Sequence, residues 1–111
     1  MTRFARPAAT VALLATASAW ALAQDALSES SLRMRSLAAG CAACHGTDGR
    51  AAAGAALPGL AGMPGSYLVE QMKAFKNGTR TGTVMPQLAK GYSDAQIDQL
   101  AAWFEKTPSP R

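Results

Sequence analysis

Both cysteines of the chain and its only histidine stand in one five-residue word, Cys41-Ala42-Ala43-Cys44-His45. Two thiols separated by two residues can reach the two vinyl groups on one edge of a haem and become thioethers. The next residue then sends its imidazole toward the iron from the same side. The spacing predicts c-type haem attachment, with Cys41 and Cys44 as covalent anchors and His45 as an axial ligand. A redox-active C-x-x-C instead wants a strand before the motif and a helix after it. Here a helical pattern precedes and a Gly-rich stretch follows. A structural zinc site needs about four ligands, and this word supplies three.

Because His45 is the only histidine, the opposite axial position falls to methionine, lysine, an amine, water or nothing. The methionines after the first are Met34, Met63, Met72 and Met85. Met34 and Met72 fall on apolar helix faces, where a flexible thioether fills a core. Met63, between Gly62 and Pro64, follows His45 by only 18 residues and is less easily placed opposite it. Met85 comes 40 residues after His45, in a Gly/Thr loop locked on its far side by Pro86. A stiff loop able to cross the distal face suits a thioether ligand, so Met85 is expected at the iron. The alternative is an ordinary loop methionine covering an open iron.

The elements that must position these groups read as helices. Leu27, Met34, Leu37 and Cys41 share one helical face, which predicts a helix over about Leu27 to Ala39, broken or tightened at Gly40. Gly46 to Gly65 reads as a Gly/Ala-rich loop whose backbone lies close against something flat and bulky. A second helix follows Pro64-Gly65, with Ser66 as N-cap and Glu70 in its first turn, and stops at Asn77-Gly78. Thr79 to Gly91 reads as a loop. The last helix carries a capping box, Ser93 with Gln96, and Tyr92 and Ile97 at the hydrophobic staple positions. Ile97, Leu100 and Phe104 face inward with Trp103 beside them, Thr107-Pro108 ends the helix, and Pro108 to Arg111 reads as a frayed tail. No run alternates as a strand would. The expected fold is all-α with long loops.

Arg3 and Arg6 precede an apolar run from Ala8 to Leu22, and Ala21-Leu22-Ala23 fits the small-x-small cleavage pattern. The run has 15 residues, where a membrane span needs about 20. The reading is an exported protein cleaved after Ala23, with no stable membrane insertion afterwards. The 88 residues from 24 to 111 are few for a self-sufficient core, and a buried prosthetic group would complete one. Without Arg3 and Arg6, nine basic residues face seven acidic ones, and two haem propionates bring the balance near neutral. The pI of about 9.5 therefore carries no case for nucleic acid, and no basic run is interleaved with aromatics.

Cys41 to Gly49, Leu57-Pro58-Gly59-Leu60-Ala61-Gly62, Thr83-Val84-Met85-Pro86 and the last amphipathic helix together resemble class I cytochromes c. The resemblance covers essentially all of 31 to 106. It implies a small all-α fold in which the first and last helices cross, with residues 1–23 as signal peptide and 24–111 as the cytochrome c domain. It also implies one haem c, an early His ligand and a late Met ligand. A proline carbonyl, here matched by Pro58, accepts the hydrogen bond from the other nitrogen of His45 and raises its basicity.

More narrowly, Tyr67 to Phe75 and Lys90-Gly91-Tyr92 are similar to the haem subunit of flavocytochrome c sulfide dehydrogenases and to single halves of two-haem bacterial cytochromes. The expected role is a periplasmic single-electron carrier and not an enzyme. The alternative is the haem subunit that takes electrons from an FAD-containing sulfide dehydrogenase subunit. Lys73, Lys76, Arg80 and Lys90 flank the Met85 loop and either steer an acidic redox partner or form a solvated face. Gas-binding four-helix cytochromes carry the motif near the C-terminus, unlike this chain. A peroxidase normally needs a second haem, for which there is no second motif.

Overall fold

A computed structural model describes residues 28–109. The leader, the cleavage position and the expected helix start at Leu27 lie outside the described residues, as do Pro110 and Arg111. The chain divides between Arg33 and Met34. On the first side, 28–33 is helical, and an exposed Arg33–Glu29 ion pair at 2.5 Å joins successive turns. The remainder holds the core and every candidate ligand.

Among the described residues the secondary structure is entirely helical, with no strand. Helix α1 occupies 28–45. A 3₁₀ turn follows at Thr47–Gly49, then α2 at Gly65–Asn77, α3 at Met85–Lys90 and α4 at Asp94–Lys106. Ala38 of α1, Leu68 of α2 and Leu100, Ala101 and Phe104 of α4 form one buried cluster. Met34, Leu37, Cys41, Leu60, Met63, Val69, Tyr92 and Trp103 pack around it. The inward face read from the periodicity of α4 is the buried one: Ile97, Leu100 and Phe104 are all nearly inaccessible.

Helix α1 does not stop at Ala39. It runs through Gly40 and the whole cysteine word to His45. The reason lies across the core: a Cβ on Gly40 would sit 3.1 Å from the Tyr92 hydroxyl oxygen. Glycine here makes room for a neighbouring side chain and leaves the helix unbroken. The true stop is Gly46, at φ 90°, where a Cβ would meet the Arg50 carbonyl oxygen at 2.2 Å. Only glycine takes that conformation and that contact together.

The start of α2 also differs. Its N-cap is Pro64, with no side-chain cap, and Ser66 and Glu70 do not play the parts expected of them. The buried Gly65 N–H donates instead to Glu105 Oε1 of α4, at 2.8 Å. A tertiary acceptor has replaced the local one, satisfying one of the donors that a helix start leaves open. At its other end α2 closes as expected on Gly78, in the left-handed conformation.

The expected loop from Thr79 to Gly91 contains α3. Pro86 sits at the second position of this helix, where its missing N–H costs nothing. The Gln87 and Leu88 N–H groups donate to the Val84 carbonyl, each at 3.0 Å, and Ala89 is fully buried. Six residues are too few for a helical period to stand out in the sequence.

Helix α4 begins with the full capping box. The Gln96 N–H donates to Ser93 Oγ at 3.2 Å, and the Ser93 N–H donates to Gln96 Oε1 at 2.9 Å. Beyond Lys106 the tail is held as far as Ser109. Arg50 Nε donates to the Pro108 carbonyl at 2.8 Å, and Ser109 packs against Gly62. These contacts correct the frayed reading for Pro108 and Ser109.

Candidate functional site

Because α1 continues to residue 45, Cys41, Cys44 and His45 occupy positions i, i+3 and i+4 of its final turn. Those positions share one helix face. The two thiols are free, Cys44 exposed and Cys41 partly covered. Burial pushes the Cys41 thiol up, and the neighbouring Tyr92 phenol opposes the shift. Reactive thiolates favour helix N-termini, where the peptide dipole stabilises negative charge. Here both thiols stand at the opposite end. The placement disfavours thiol–disulfide chemistry and suits sulfurs that become neutral thioethers.

Among the described residues, no three His, Cys, Asp or Glu side chains converge so as to hold a metal ion. The three residues of the cysteine word share a face without sharing a point. That arrangement does not fit a zinc site, and it does fit two anchors and a ligand spread along the edge of a flat group.

His45 Nδ1 lies 2.7 Å from the Pro58 carbonyl oxygen. A carbonyl can only accept, so Nδ1 carries a proton, and in the neutral ring Nε2 presents its lone pair. A neutral imidazole held in that tautomer is ready to bind a metal. The loop that brings Pro58 there is tied down. The Gly49 carbonyl accepts from the N–H groups of Leu60, at 2.7 Å, and Ala61, at 3.0 Å. Gly49 itself is buried at φ 75°, and a Cβ there would come within 2.8 Å of the Phe104 ring. At this glycine the flat, bulky neighbour is therefore an aromatic ring of α4. The line Phe104–Gly49–Leu60–Pro58 links the core of the protein to the orientation of His45.

The four candidate methionines are all partly covered and differ in what they pack against. Met34 and Met63 pack against the central cluster. Met72 is partly covered on α2. Met85 is the first residue of α3 and is also partly covered. Its approach is braced in a way the sequence did not reveal. Gly82 lets the chain pass over Phe75 of α2, where a Cβ would lie 3.1 Å from the ring and 3.3 Å from Pro86 Cδ. Phe75 is buried beneath this crossing, and Arg80 caps its ring with the guanidinium carbon 4.5 Å from the centroid. Leu57, Val84 and Leu88, neighbours in sequence of Pro58 and Met85, are large apolar side chains left substantially exposed. A broad apolar group lying between the two loops would cover such side chains.

The four cations are not equivalent. Lys76 Nζ donates to the Tyr92 carbonyl at 2.8 Å and to Asp94 Oδ1 at 2.7 Å. Hydrogen bonding and charge from Lys76 hold the Asp94 carboxyl below its ordinary range, with a smaller contribution from Lys73. Arg80 hydrogen-bonds Gln71 and stacks on Phe75. Two of the four cations thus serve internal contacts, whereas Lys90 is exposed and Lys73 partly so.

The cytochrome c family model matches residues 34–108. Over 69 residues the chain is 44% identical to the thiosulfate dehydrogenase electron acceptor of Thiomonas intermedia, a match covering 62% of this chain and 32% of that protein. Over 68 residues it is 41% identical to the cytochrome subunit of sulfide dehydrogenase of Chlorobaculum tepidum, covering 61% of this chain and 60% of the relative. Among solved structures, a cytochrome c4 of Acidithiobacillus ferrooxidans superposes with a TM-score of 0.55 at 42% identity, over 59% of this chain and 37% of the other. The matched region thus spans about a third to three fifths of these proteins. No described helix is long and apolar enough to cross a membrane.

Proposed function

Because the chain belongs to the cytochrome c family, with the small class I fold and one covalent haem c, we propose that it is an exported single-electron carrier of the periplasm. In this reading Cys41 and Cys44 would hold the haem as thioethers, His45 and Met85 would ligate its iron, and residues 1–23 would be removed on export. The observation that carries this reading is the last turn of α1. It aligns both sulfurs with a histidine whose second nitrogen is already committed to the Pro58 carbonyl, at 2.7 Å.

When bound, haem c supplies reversible one-electron exchange at iron. The chain's own groups decide what that exchange is used for. Pro58 fixes the tautomer and ring angle of His45 and increases its donor strength. Met85, braced by Pro86 and by the crossing over Phe75, would supply the second ligand to the iron. Its thioether favours the reduced state and raises the potential. With His45 and Met85 both committed to the iron, no site would be left for a substrate, and the protein would carry electrons without transforming a small molecule. Leu57, Val84 and Leu88, exposed in this structure, would pack on the haem and help exclude water from it.

The test is covalent stoichiometry. Protein exported by a host able to attach haem c should have the mass of residues 24 to 111 plus one haem. Acid-acetone should leave the colour with the protein. Extraction of the haem would contradict attachment at the cysteines, and a mass retaining Arg3 and Arg6 would contradict cleavage.

A second reading is favoured by the 41% identity to a cytochrome subunit of sulfide dehydrogenase. Under it, the protein accepts electrons from an FAD-containing sulfide dehydrogenase subunit. Mixed anaerobically with such a subunit and sulfide, the haem should reduce much faster than with sulfide alone. Since Lys76 is tied to Tyr92 and Asp94, Lys73→Glu with Lys90→Glu is the informative charge reversal. Unchanged rate and unchanged elution volume on adding the subunit would remove this pairing and leave the general carrier.

A further inference from the structure

Residues 77–91 leave the end of α2, carry α3 with Met85, and return to the start of α4. The outgoing limb is fastened to α2 several times. The Arg80 N–H donates to the Ala74 carbonyl at 3.0 Å, and the Arg80 side chain bonds Gln71 and lies over the Phe75 ring. Gly82 then crosses the same ring. The returning limb is attached differently. Among the described residues, no backbone hydrogen bond joins α2 to 83–94. The hydrogen bonds that do cross come from one side chain: Lys76 Nζ donates to the Tyr92 carbonyl at 2.8 Å and to Asp94 Oδ1 at 2.7 Å.

These two bonds close the neck of the loop. Lys76 lies in the last turn of α2, where a cation also meets the negative end of the helix dipole. Its hold passes along the chain to Met85. The Tyr92 N–H donates to the Ala89 carbonyl at 3.2 Å, and the Gly91 N–H donates to the Leu88 carbonyl at 3.0 Å. Tyr92 is thereby tied to the end of α3, the six-residue helix that Met85 begins. The two bonds are unequal. The Asp94 side chain is 65% exposed, so water screens the ion pair. The bond to the Tyr92 carbonyl is partly buried and carries more of the restraint.

We propose that Lys76 is a positioning residue for Met85: by closing the neck of the 77–91 loop from α2, it suppresses the local opening in which the thioether leaves the iron. The inference rests on Met85 being the second axial ligand. A neutral thioether brings no charge to the iron, so its residence there depends on the loop that presents it. Surface segments open locally while the core stays folded. Removing the one side chain that hydrogen-bonds α2 to the returning limb should raise the open population of this segment and leave the α1–α4 core as it was.

The exported holoproteins Lys76→Leu and Lys76→Arg test this. Leucine removes every donor, whereas arginine keeps the cation and its donors. In the ferric state cyanide must wait for Met85 to leave, so its binding rate reports the opening. Lys76→Leu should bind cyanide about tenfold faster than wild type, the scale of one charge-assisted hydrogen bond, with the sulfur-to-iron band still present. Lys76→Arg should stay near wild type. By hydrogen exchange, the N–H groups of Leu88, Gly91 and Tyr92 should lose protection in Lys76→Leu, while that of Phe104 keeps it. Met63→Ala, which opens core space before the other end of α2, is the comparator for plain loss of stability. An unmoved cyanide rate in Lys76→Leu overturns the proposal, as does a rise that Met63→Ala matches with equal loss of protection at Phe104. A Lys76→Arg rate as fast as that of Lys76→Leu overturns it too. Absence of the band from wild type removes Met85 as ligand and this proposal with it, whereas a wild-type band with an unmoved rate removes only the role of Lys76.

Discussion

Met85→Ala should lower the midpoint potential on the order of 100 mV, a fraction of the roughly 0.8 V range that haem axial ligands command. The same substitution should abolish the weak long-wavelength sulfur-to-iron band and let cyanide or imidazole bind much faster. The expectation rests on what surrounds each methionine. Met63 packs against the central cluster, so Met63→Ala should cost about 2 kcal/mol or more of stability while leaving the band in place. Met85 has no such place in that cluster. It opens α3 immediately before Pro86, and the segment leading to it is pressed over Phe75 through Gly82. Persistence of the band and of slow cyanide binding in Met85→Ala would move the ligand elsewhere, with the partly covered Met72 next to be tried.

The parts of this protein legible in its sequence are those written locally. The capping box of α4 needs only Ser93 and Gln96, three residues apart, and both of its hydrogen bonds are present. The buried stripe Ile97, Leu100 and Phe104 follows from helical period alone. The cysteine word is equally local, since its chemistry depends on spacing. What escaped the reading was set by neighbours distant in sequence. Gly40 looked like a breaker because its requirement comes from the Tyr92 hydroxyl. Ser66 looked like a cap because the acceptor for Gly65 is Glu105, forty residues away. Helix α3 was hidden by its shortness and by a proline that belongs in a first turn. Lys76 reads as a free surface cation, and the structure ties it to the Tyr92 carbonyl and the exposed Asp94 carboxylate. Among the long-range features, the Pro58 contact and the packing of the first helix on the last were expected from family resemblance, with nothing local to announce them.

Phe104→Ala is the substitution that should cost the fold most, about 3–5 kcal/mol. A domain of this size holds roughly 0.05–0.15 kcal/mol per residue, so the loss is a large part of the total. The ring is 2% exposed, and truncation leaves a cavity that its neighbours cannot readily close. Gly49 lies directly against the ring and has no side chain with which to fill the gap. The backbone around Phe104 is committed as well, its carbonyl accepting from Gly62 at 2.8 Å and from Thr107 at 3.1 Å. Damage should therefore travel. With the ring gone, Gly49 loses its backing, and the carbonyl that anchors Leu60 and Ala61 is less well fixed. Pro58 would then hold His45 less firmly. Phe104→Leu keeps most of the volume and should cost less than about 1.5 kcal/mol. Urea unfolding of the ferric holoproteins, followed by haem absorbance and by far-ultraviolet circular dichroism, separates the two variants. A loss below about 1 kcal/mol in Phe104→Ala, far under the usual cost of emptying a core aromatic position, would show that the α1–α4 core is not centred on this ring.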